Sequence, residues 1–277
     1  MKVLKYIILI PIALLLVLLT ILFISYEVKS DREKAKFWFE SKIKFGGQGS
    51  IEKQWFYEQS IKCDSTYAKS WHQKSVAFNK RGDFATGFKL LDRAVELTPV
   101  EFMGYRGFIK LYHTHDYEGA IEDYKELDRL TPQVVDSPWG EDIYHVIGLS
   151  YLQLKQLDSA NKYFETSIAK TVEGNGEDWV DVKVFLYGGI TQQERGNWEA
   201  SILLFDKAIQ YDKRFSEAYY YRGLSMVQLG KKLEACENFN TSQHFFDKGY
   251  NQTNSYFEMP YQLYRSMIET ELTKNCN

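Results

Sequence analysis

The pattern of hydrophobic and polar positions divides the chain into two parts that differ in kind. The first 26 residues read MKVLKYIILIPIALLLVLLTILFISY, and no charged residue occurs from Tyr6 to Tyr26. As a helix, this run would be roughly 31 Å long at about 1.5 Å per residue, which matches a bilayer hydrocarbon core of about 30 Å. Charged residues are interspersed through the rest of the chain, and the 5 prolines among 277 residues favour long helices. The pattern predicts a transmembrane helix followed by a helical domain.

The apolar run is long for a cleaved signal peptide and no small-x-small cleavage site follows it, so we expect an uncleaved signal anchor over residues 1–30. A cleaved signal peptide is the alternative.

The charges on either side of the run bear on membrane orientation. Lys2 and Lys5 precede the run, and the segment after it carries six Lys/Arg amid four acids. A count of basic residues would place that flank in the cytoplasm, but a large domain can be translocated largely regardless of charge. We expect a single-pass membrane protein with its soluble domain on the non-cytoplasmic, periplasmic side.

An internal repeat runs through the part of the chain that follows. The segments Val184–Phe215 and Ala218–Gly249 place the same kinds of residue 34 positions apart. The matching pairs are Gly189 and Gly223, Gly196 and Gly230, Phe205 and Phe239, and Ala208 and Ser242. Four segments upstream carry the same pattern, the first of them with a weaker first helix. This spacing resembles the tetratricopeptide repeat, a helix-turn-helix unit of about 34 residues.

The resemblance covers nearly the whole chain after the anchor and implies an all-α solenoid over residues 31–277, because one helix pair cannot bury its apolar face alone. We expect six repeats and a last helix near residues 255–273 that covers the exposed face of the sixth. The expected repeats span residues 34–67, 68–99, 100–132, 141–174, 182–215 and 216–249.

In this family the first helix of each repeat lines a concave groove, so the resemblance also implies candidate binding residues. The candidates in the last three repeats are Tyr220, Tyr221, Leu224, Leu186, Tyr187, Ile190, Gln193, His145 and Leu149. Relatives that capture a C-terminal carboxylate use Lys, Asn and Arg at such positions, so here we expect a partner with apolar or aromatic side chains, such as an amphipathic helix. The alternative is that these residues pack against one another or against the C-terminal helix.

Three consecutive tyrosines, Tyr219, Tyr220 and Tyr221, fall in the first helix of the sixth repeat. At about 100° per residue, Tyr219 shares a helix face with Gly223, which stands at the small-residue position where neighbouring helices approach closely. We therefore expect Tyr219 in the core, Tyr220 with Leu224 on the groove surface, and Tyr221 at the groove edge.

Composition narrows the class of function. The net charge of −3 and the pI of about 6.0 give no polyanion-binding signature, so we expect no nucleic-acid partner. The three cysteines share no close spacing and predict neither a zinc site nor a disulfide framework. The segment from His113 to Asp116, HTHD, has metal-ligand residue types, but we assign it to a turn of the third repeat. The sequence contains no nucleotide-binding loop or hydrolase motif, and we expect no metal, no cofactor and no catalysis.

Together these features predict a membrane-anchored, non-catalytic scaffold or adaptor that binds a peptide or helix of a partner protein in its groove. The anchor would raise the effective concentration of the groove for partners at the membrane. The alternative is an envelope assembly factor or chaperone that holds apolar client segments.

Overall fold

The computed structural model describes residues 2–41, 46–132 and 134–276, with side chains from residue 11 onward. Within these residues the chain forms fourteen α-helices and no β-strand. The helices are α1 (Lys2–Glu27), α2 (Asp31–Ser41), α3 (Ile51–Cys63), α4 (Ala68–Lys80), α5 (Phe84–Leu97), α6 (Pro99–Ile109), α7 (Tyr117–Leu130), α8 (Ile143–Gln153), α9 (Leu157–Asn175), α10 (Val182–Glu194), α11 (Trp198–Tyr211), α12 (Ser216–Gln228), α13 (Lys232–Phe246) and α14 (Arg265–Cys276).

Helices α2 to α13 form six consecutive helix pairs, one for each expected repeat, which confirms the all-α solenoid. The chain divides into two compact units after Phe102. The first unit contains α1 to α5 and the start of α6, and the second contains the rest of α6 and all later helices. The last helix begins at Arg265 rather than near residue 255, because the residues between α13 and α14 form a long non-helical connection.

Within a repeat, the second helix packs a phenylalanine ring against a glycine of the first helix. A Cβ atom on Gly148 would lie 3.1 Å from Phe164 Cε1, and a Cβ atom on Gly223 would lie 2.6 Å from Phe239 Cε1. Both rings are at most 1% exposed. The recurring Gly and Phe positions in the sequence therefore correspond to one close helix contact in each of these repeats, and the absence of a side chain on the glycine makes this contact possible.

The turn between the paired helices uses a left-handed residue at an equivalent position in successive repeats. Gly196 and Gly230 have φ angles of 78° and 72°. His115 and Lys155 stand at this position in the third and fourth repeats, with φ angles of 55° and 57°. This region of conformational space is unfavourable for a residue with a Cβ atom, so His115 and Lys155 both have a strained backbone conformation.

The third repeat differs from the others because α6 continues into a π-helical turn over Lys110–Thr114. After the left-handed His115, the Asp116 carboxylate caps α7 by accepting a hydrogen bond from the backbone N–H of Gly119 at 3.0 Å. The HTHD segment thus serves as helix end, turn and cap. Among the described residues, no group of three or more His, Cys, Asp or Glu side chains is arranged to hold a metal ion.

Helix α1 covers most of residues 1–30, which the sequence predicts to be a membrane anchor. Its large apolar side chains from Ile12 to Ile24 are 47–65% exposed. Among the described residues, no helix combines the length and the apolar character that crossing a membrane requires. The side chains from Tyr6 to Ile10, which belong to the expected span, lie outside the described residues. The anchor therefore stays a prediction from the sequence.

A disulfide joins Cys236 of α13 to Cys276 at the end of α14, with Cα atoms 5.6 Å apart. This bond differs from the prediction drawn from cysteine spacing, because the two residues are 40 positions apart and only the packing of α14 on α13 brings them together. Cys63, in the first unit, is a free thiol. The bond closes a covalent loop that contains the whole connection between α13 and α14.

Candidate binding groove

The candidate groove is formed by the first helices of the last three repeats, α8, α10 and α12. Their inward-facing side chains form a packed floor: Leu149, Leu186, Tyr187 and Ile190 are at most 1% exposed, and His145 is 2% exposed. The structure thus brings the candidates together on three neighbouring helices. These five residues are covered by other parts of the chain and do not form a free surface.

The orientations of the first two tyrosines are the reverse of those predicted. Tyr220 is 5% exposed and its ring centroid lies 5.9 Å from that of Phe239 on α13, whereas Tyr219 is partly exposed. Burial, with a smaller contribution from the Glu271 carboxylate on α14, raises the pKa of Tyr220 to about 12. The prediction was wrong because Tyr220 packs against the rings of Tyr221 and Phe239, in the contact between α12 and α13, and does not face the groove surface.

A non-helical segment of the chain itself covers the groove. Residues 250–264, which we call the strap, lie between the turn after α13 and the start of α14. The Tyr187 hydroxyl donates a hydrogen bond to the Pro260 carbonyl oxygen at 3.1 Å, and the Tyr221 hydroxyl donates to the Tyr261 carbonyl oxygen at 2.9 Å. Burial raises the pKa of Tyr221, so its hydroxyl keeps the proton that it donates. Two candidate residues therefore bind the main chain of the strap.

The strap makes a tight turn as it passes over these tyrosines. The backbone N–H of Gln262 donates to the Met259 carbonyl oxygen at 3.0 Å, which places Pro260 and Tyr261 at the two central positions. Tyr261 has a φ of 54°. A turn with proline at the second position and a positive φ at the third usually carries Gly or Asn at the third. Tyr261 takes this position with a bulky side chain.

The side chain of Tyr261 is fixed by groove residues from two repeats. Lys155 Nζ donates to the Tyr261 hydroxyl at 2.9 Å, and that hydroxyl donates to Glu194 Oε1 at 3.0 Å. Burial, partly offset by Lys155, raises the pKa of Tyr261 to about 12. The ring also meets the ring of Tyr221 edge-on, with centroids 6.4 Å apart. A phenol in this position is recognised by both an ammonium donor and a carboxylate acceptor.

Two further strap residues are held by apolar contacts. The ring of Phe257 stacks on that of Tyr112, with centroids 4.8 Å apart, and meets the ring of Phe108 edge-on at 5.7 Å. On the other side of the turn, Leu263 is 1% exposed. The strap therefore contacts the helices of the second unit through a Phe, a Pro-Tyr turn and a Leu in succession.

The start of the strap is tied to the beginning of α12. The backbone N–H of Ser216 donates to the Tyr250 carbonyl oxygen at 3.1 Å, and the backbone N–H of Gln252 donates to Glu217 Oε1 at 2.6 Å. Burial raises the pKa of Glu217 to about 7, although the Gln252 hydrogen bond acts in the opposite direction. Residues 253–256, which follow, are exposed.

A partly buried polar cluster beneath Phe257 connects three repeats. Glu141 accepts a hydrogen bond from the Tyr112 hydroxyl at 2.5 Å and forms an ion pair with Lys183 at 2.6 Å. Burial alone would raise the pKa of Glu141, but the nearby His145 and Lys183 outweigh it and lower that pKa. His145 lies between the rings of Phe164 and Tyr187, and burial lowers its pKa. The bonds of Glu141 give this cluster a role in joining the repeats.

An opening of about 330 Å³ remains beside the strap, and its walls are largely apolar. Ile190, Trp198 and Leu224 line it together with Tyr221 and Tyr261. Leu224 thus reaches space that the strap leaves unfilled, whereas Ile190 borders the opening and is only 1% exposed. A third, Gln193, also lines it, but its amide nitrogen donates to the Tyr221 carbonyl oxygen at 2.6 Å.

The strap is the element of the candidate site that the repeat pattern did not identify. A signal was present in the sequence: after Gly249 the repeat ends, and Tyr256, Phe257, Pro260 and Tyr261 follow without helical spacing. A proline beside aromatic residues is unusual in the middle of an expected capping helix. Recognising the strap would have required treating this break as a separate segment.

Comparisons with known proteins agree with the fold. A family model of the tetratricopeptide repeat matches residues 141–169, which cover α8 and most of α9. The chain is 27% identical to Superkiller protein 3 of Saccharomyces cerevisiae over 94 residues, which are 34% of this chain and 6% of that protein. The chain thus spans a small part of the length of this curated relative.

Two solved structures illustrate the likeness. The pilF protein of Pseudomonas aeruginosa has a TM-score of 0.58 and 14% identity, covering 80% of this chain and 97% of that chain. YrrB, described as a TPR protein with an unusual peptide-binding site, has a TM-score of 0.52 and 15% identity, covering 68% of this chain and 91% of that chain. At these identities the likeness is one of fold. The chain therefore has an all-α solenoid fold like that of these proteins, with a tetratricopeptide-repeat match over residues 141–169.

Proposed function

We propose that this protein is a non-catalytic scaffold or adaptor that binds a segment of another protein in the groove of α8, α10 and α12. One observation carries the proposal: the groove already holds a non-helical peptide segment, through the hydrogen bonds from Tyr187 and Tyr221 to strap carbonyl oxygens. Carbonyl oxygens are present in every peptide, so this mode of binding can be transferred to a segment of another chain.

The chemistry of the groove favours recognition over catalysis. The Tyr187 and Tyr221 hydroxyls have raised pKa values because of burial, and they act as neutral donors. The carboxylate of Glu141 is occupied by Tyr112 and Lys183. The rings and aliphatic side chains of the floor provide shape and apolar contact, which are the properties of a peptide-binding site.

We also propose that α1 anchors the protein in a membrane, with the solenoid on the non-cytoplasmic, periplasmic side. The uncharged run from Tyr6 to Tyr26 and the exposed apolar side chains after Pro11 support an anchor. The Cys236–Cys276 disulfide supports an oxidising compartment, since such bonds persist mainly outside the reducing cytoplasm.

Site-specific crosslinking in the native membrane tests the proposed binding function. A photo-crosslinking residue in place of Leu224, which lines the opening beside the strap, should capture a partner protein. The matched control is the same residue in place of Leu233, which is 81% exposed on α13. Identical products from the two positions, or no product from Leu224, would contradict binding in the groove.

The number of captured proteins separates the two candidate functions. An adaptor should yield one or two products at Leu224, whereas a chaperone for envelope clients should yield many. The apolar lining of the opening is the feature that supports the second candidate, because it would accept varied apolar side chains.

A further inference from the structure

The two residues that fix the strap turn in the groove share an unusual conformation. Lys155 and Tyr261 both have left-handed backbones, with φ angles of 57° and 54°, and their side chains are joined by the 2.9 Å hydrogen bond between Lys155 Nζ and the Tyr261 hydroxyl. Glycine would relieve the backbone at either position but would remove the side chain that makes the contact. Strained residues of this kind cluster at binding sites, where the surrounding contacts hold them.

The contacts of the strap define a short pattern. Phe257 fills the aromatic site at Tyr112, and three residues later Pro260 and Tyr261 form the turn whose two carbonyl oxygens are bound by Tyr187 and Tyr221. Leu263 is buried two residues beyond Tyr261. The pattern is Phe-x-x-Pro-Tyr-x-Leu, in which x marks a position that makes none of the contacts named above.

The strap fills its groove incompletely. The opening of about 330 Å³ beside Tyr261 is bordered by Ile190, Trp198 and Leu224, and no strap side chain other than Tyr261 lines it. The exposed residues 253–256 precede the docked part, so the strap enters the groove from a solvated stretch. A segment with the same pattern and an additional apolar side chain for this opening would make more contacts than the strap makes.

We infer that the strap is an intramolecular ligand, and that the partner presents a Phe-x-x-Pro-Tyr-x-Leu segment that forms the same turn and displaces it. This inference rests on the proposed function and names the chemistry of the partner. The strap competes at a high effective concentration because it is part of the same chain. The intact protein therefore binds the partner segment weakly, and any change that loosens the strap strengthens binding.

A labelled synthetic peptide with the strap sequence SYFEMPYQLY tests the inference by fluorescence anisotropy on the full chain. The strap variant Phe257→Ala/Tyr261→Ala should bind the peptide at least about tenfold more tightly than the wild-type chain, because the internal competitor is weakened. Adding Tyr187→Phe/Tyr221→Phe to that variant should reduce the affinity about tenfold, because two hydrogen-bond donors are lost and both rings are kept. A peptide with alanine in place of its Pro-Tyr pair is the matched ligand control.

The inference is overturned if the strap variant binds the peptide no more tightly than the wild-type chain, or if the alanine peptide binds equally well. Circular dichroism checks that the double variant is folded. If it is unfolded, Tyr261→Gly replaces it, since glycine keeps the turn and removes the ring and hydroxyl. A wild-type dimer in sedimentation, with the strap of one copy crosslinked to Leu224 of the other, would also overturn the inference by making a second copy the occupant.

Failure of the inferred partner pattern can be distinguished from failure of the proposed adaptor function. If the crosslinker at Leu224 captures a partner protein and excess strap peptide does not reduce that capture, the groove binds proteins but the inferred pattern is wrong. If neither position captures a protein and the peptide still binds the strap variant, the groove recognises the pattern but the adaptor function fails.

Discussion

A Cβ atom on Gly189 would lie 2.4 Å from Cε1 of Phe205, closer than any side chain can approach without displacement. The ring of Phe205 is 0% exposed, so it cannot move aside without disturbing its neighbours. The adjacent Gly188 has more room, since its Cβ atom would meet Leu204 Cδ1 at 3.5 Å, an ordinary van der Waals distance. Two neighbouring glycines in one helix thus face different environments.

Alanine substitution at these two glycines should have opposite effects on stability. Gly188→Ala should raise the free energy of unfolding by up to about 1 kcal/mol, because alanine favours helix over glycine. Gly189→Ala should lower it by about 1–3 kcal/mol, because overpacking outweighs the helix preference. Urea unfolding of the full chain measures both. Equal stability of the two variants would contradict the close contact between Gly189 and Phe205.

The loss of stability caused by truncating Tyr219 or Tyr220 to alanine should depend on how deeply each ring is buried. Tyr220→Ala should destabilise the protein by about 3 kcal/mol or more, as large buried aromatic truncations do, because its ring lies in the core near Phe239. Tyr219→Ala should cost less, because that ring is partly exposed. Thermal and urea unfolding of both variants measure the difference. A larger loss for Tyr219→Ala would show that the assignment of these two side chains is wrong.

The disulfide should stabilise the fold and hold the strap in place. Cys236→Ser/Cys276→Ser should lower the free energy of unfolding by about 2–4 kcal/mol, as expected for a closed loop of this size. Cys63→Ser is the control, because Cys63 closes no loop. The double variant should also bind the strap peptide more tightly than the wild-type chain. Thiol titration of the denatured, unreduced protein should find one free thiol, and a count of three would exclude the bond.

Glu217 should make stability depend on pH. Burial raises its pKa from 4.5 to about 7, so between these values the folded chain keeps a proton that the unfolded chain has lost. The contribution of this group is therefore fully present below pH 4.5 and is lost as the pH rises through about 7, a loss of about 3 kcal/mol. Glu217→Gln should reduce the difference between urea unfolding at pH 5 and at pH 8. Glu237→Gln is the control, because Glu237 is exposed, and it should leave the difference between pH 5 and pH 8 unchanged. If Glu217→Gln also leaves that difference unchanged, the raised pKa of Glu217 is refuted.

The proposed anchor predicts that the mature protein keeps its N-terminus and resists extraction from membranes by alkali. Leu16→Arg/Leu18→Arg should release it, because each charge at the centre of a membrane helix costs about 2.5–3.5 kcal/mol. A wild-type product that is soluble and begins near residue 27 would instead indicate a cleaved signal peptide. A reporter fused after the last residue of the chain would determine on which side of the membrane the solenoid lies.

The sequence by itself determined the helix pairs and their order. Gly189 and Gly223 recur at a fixed spacing because each must accommodate a ring from its own repeat, and that contact spans only 16 residues from Gly189 to Phe205. Turn glycines such as Gly196 mark the same repeat. These signals are local, so they can be read from spacing alone and require no knowledge of neighbouring repeats.

Only the tertiary structure decided what covers the groove. Tyr187 meets Pro260 across 73 positions of sequence, and Cys236 meets Cys276 across 40. No periodicity connects such pairs, because their contact depends on the path of a non-helical segment over several stacked repeats. The side chains that bury Tyr220 were also decided by packing, because its ring meets those of Tyr221 and Phe239 in the contact between α12 and α13. The structure of each repeat follows from its local sequence pattern. The position of the strap follows instead from the free energy gained when it covers the apolar floor of α8, α10 and α12.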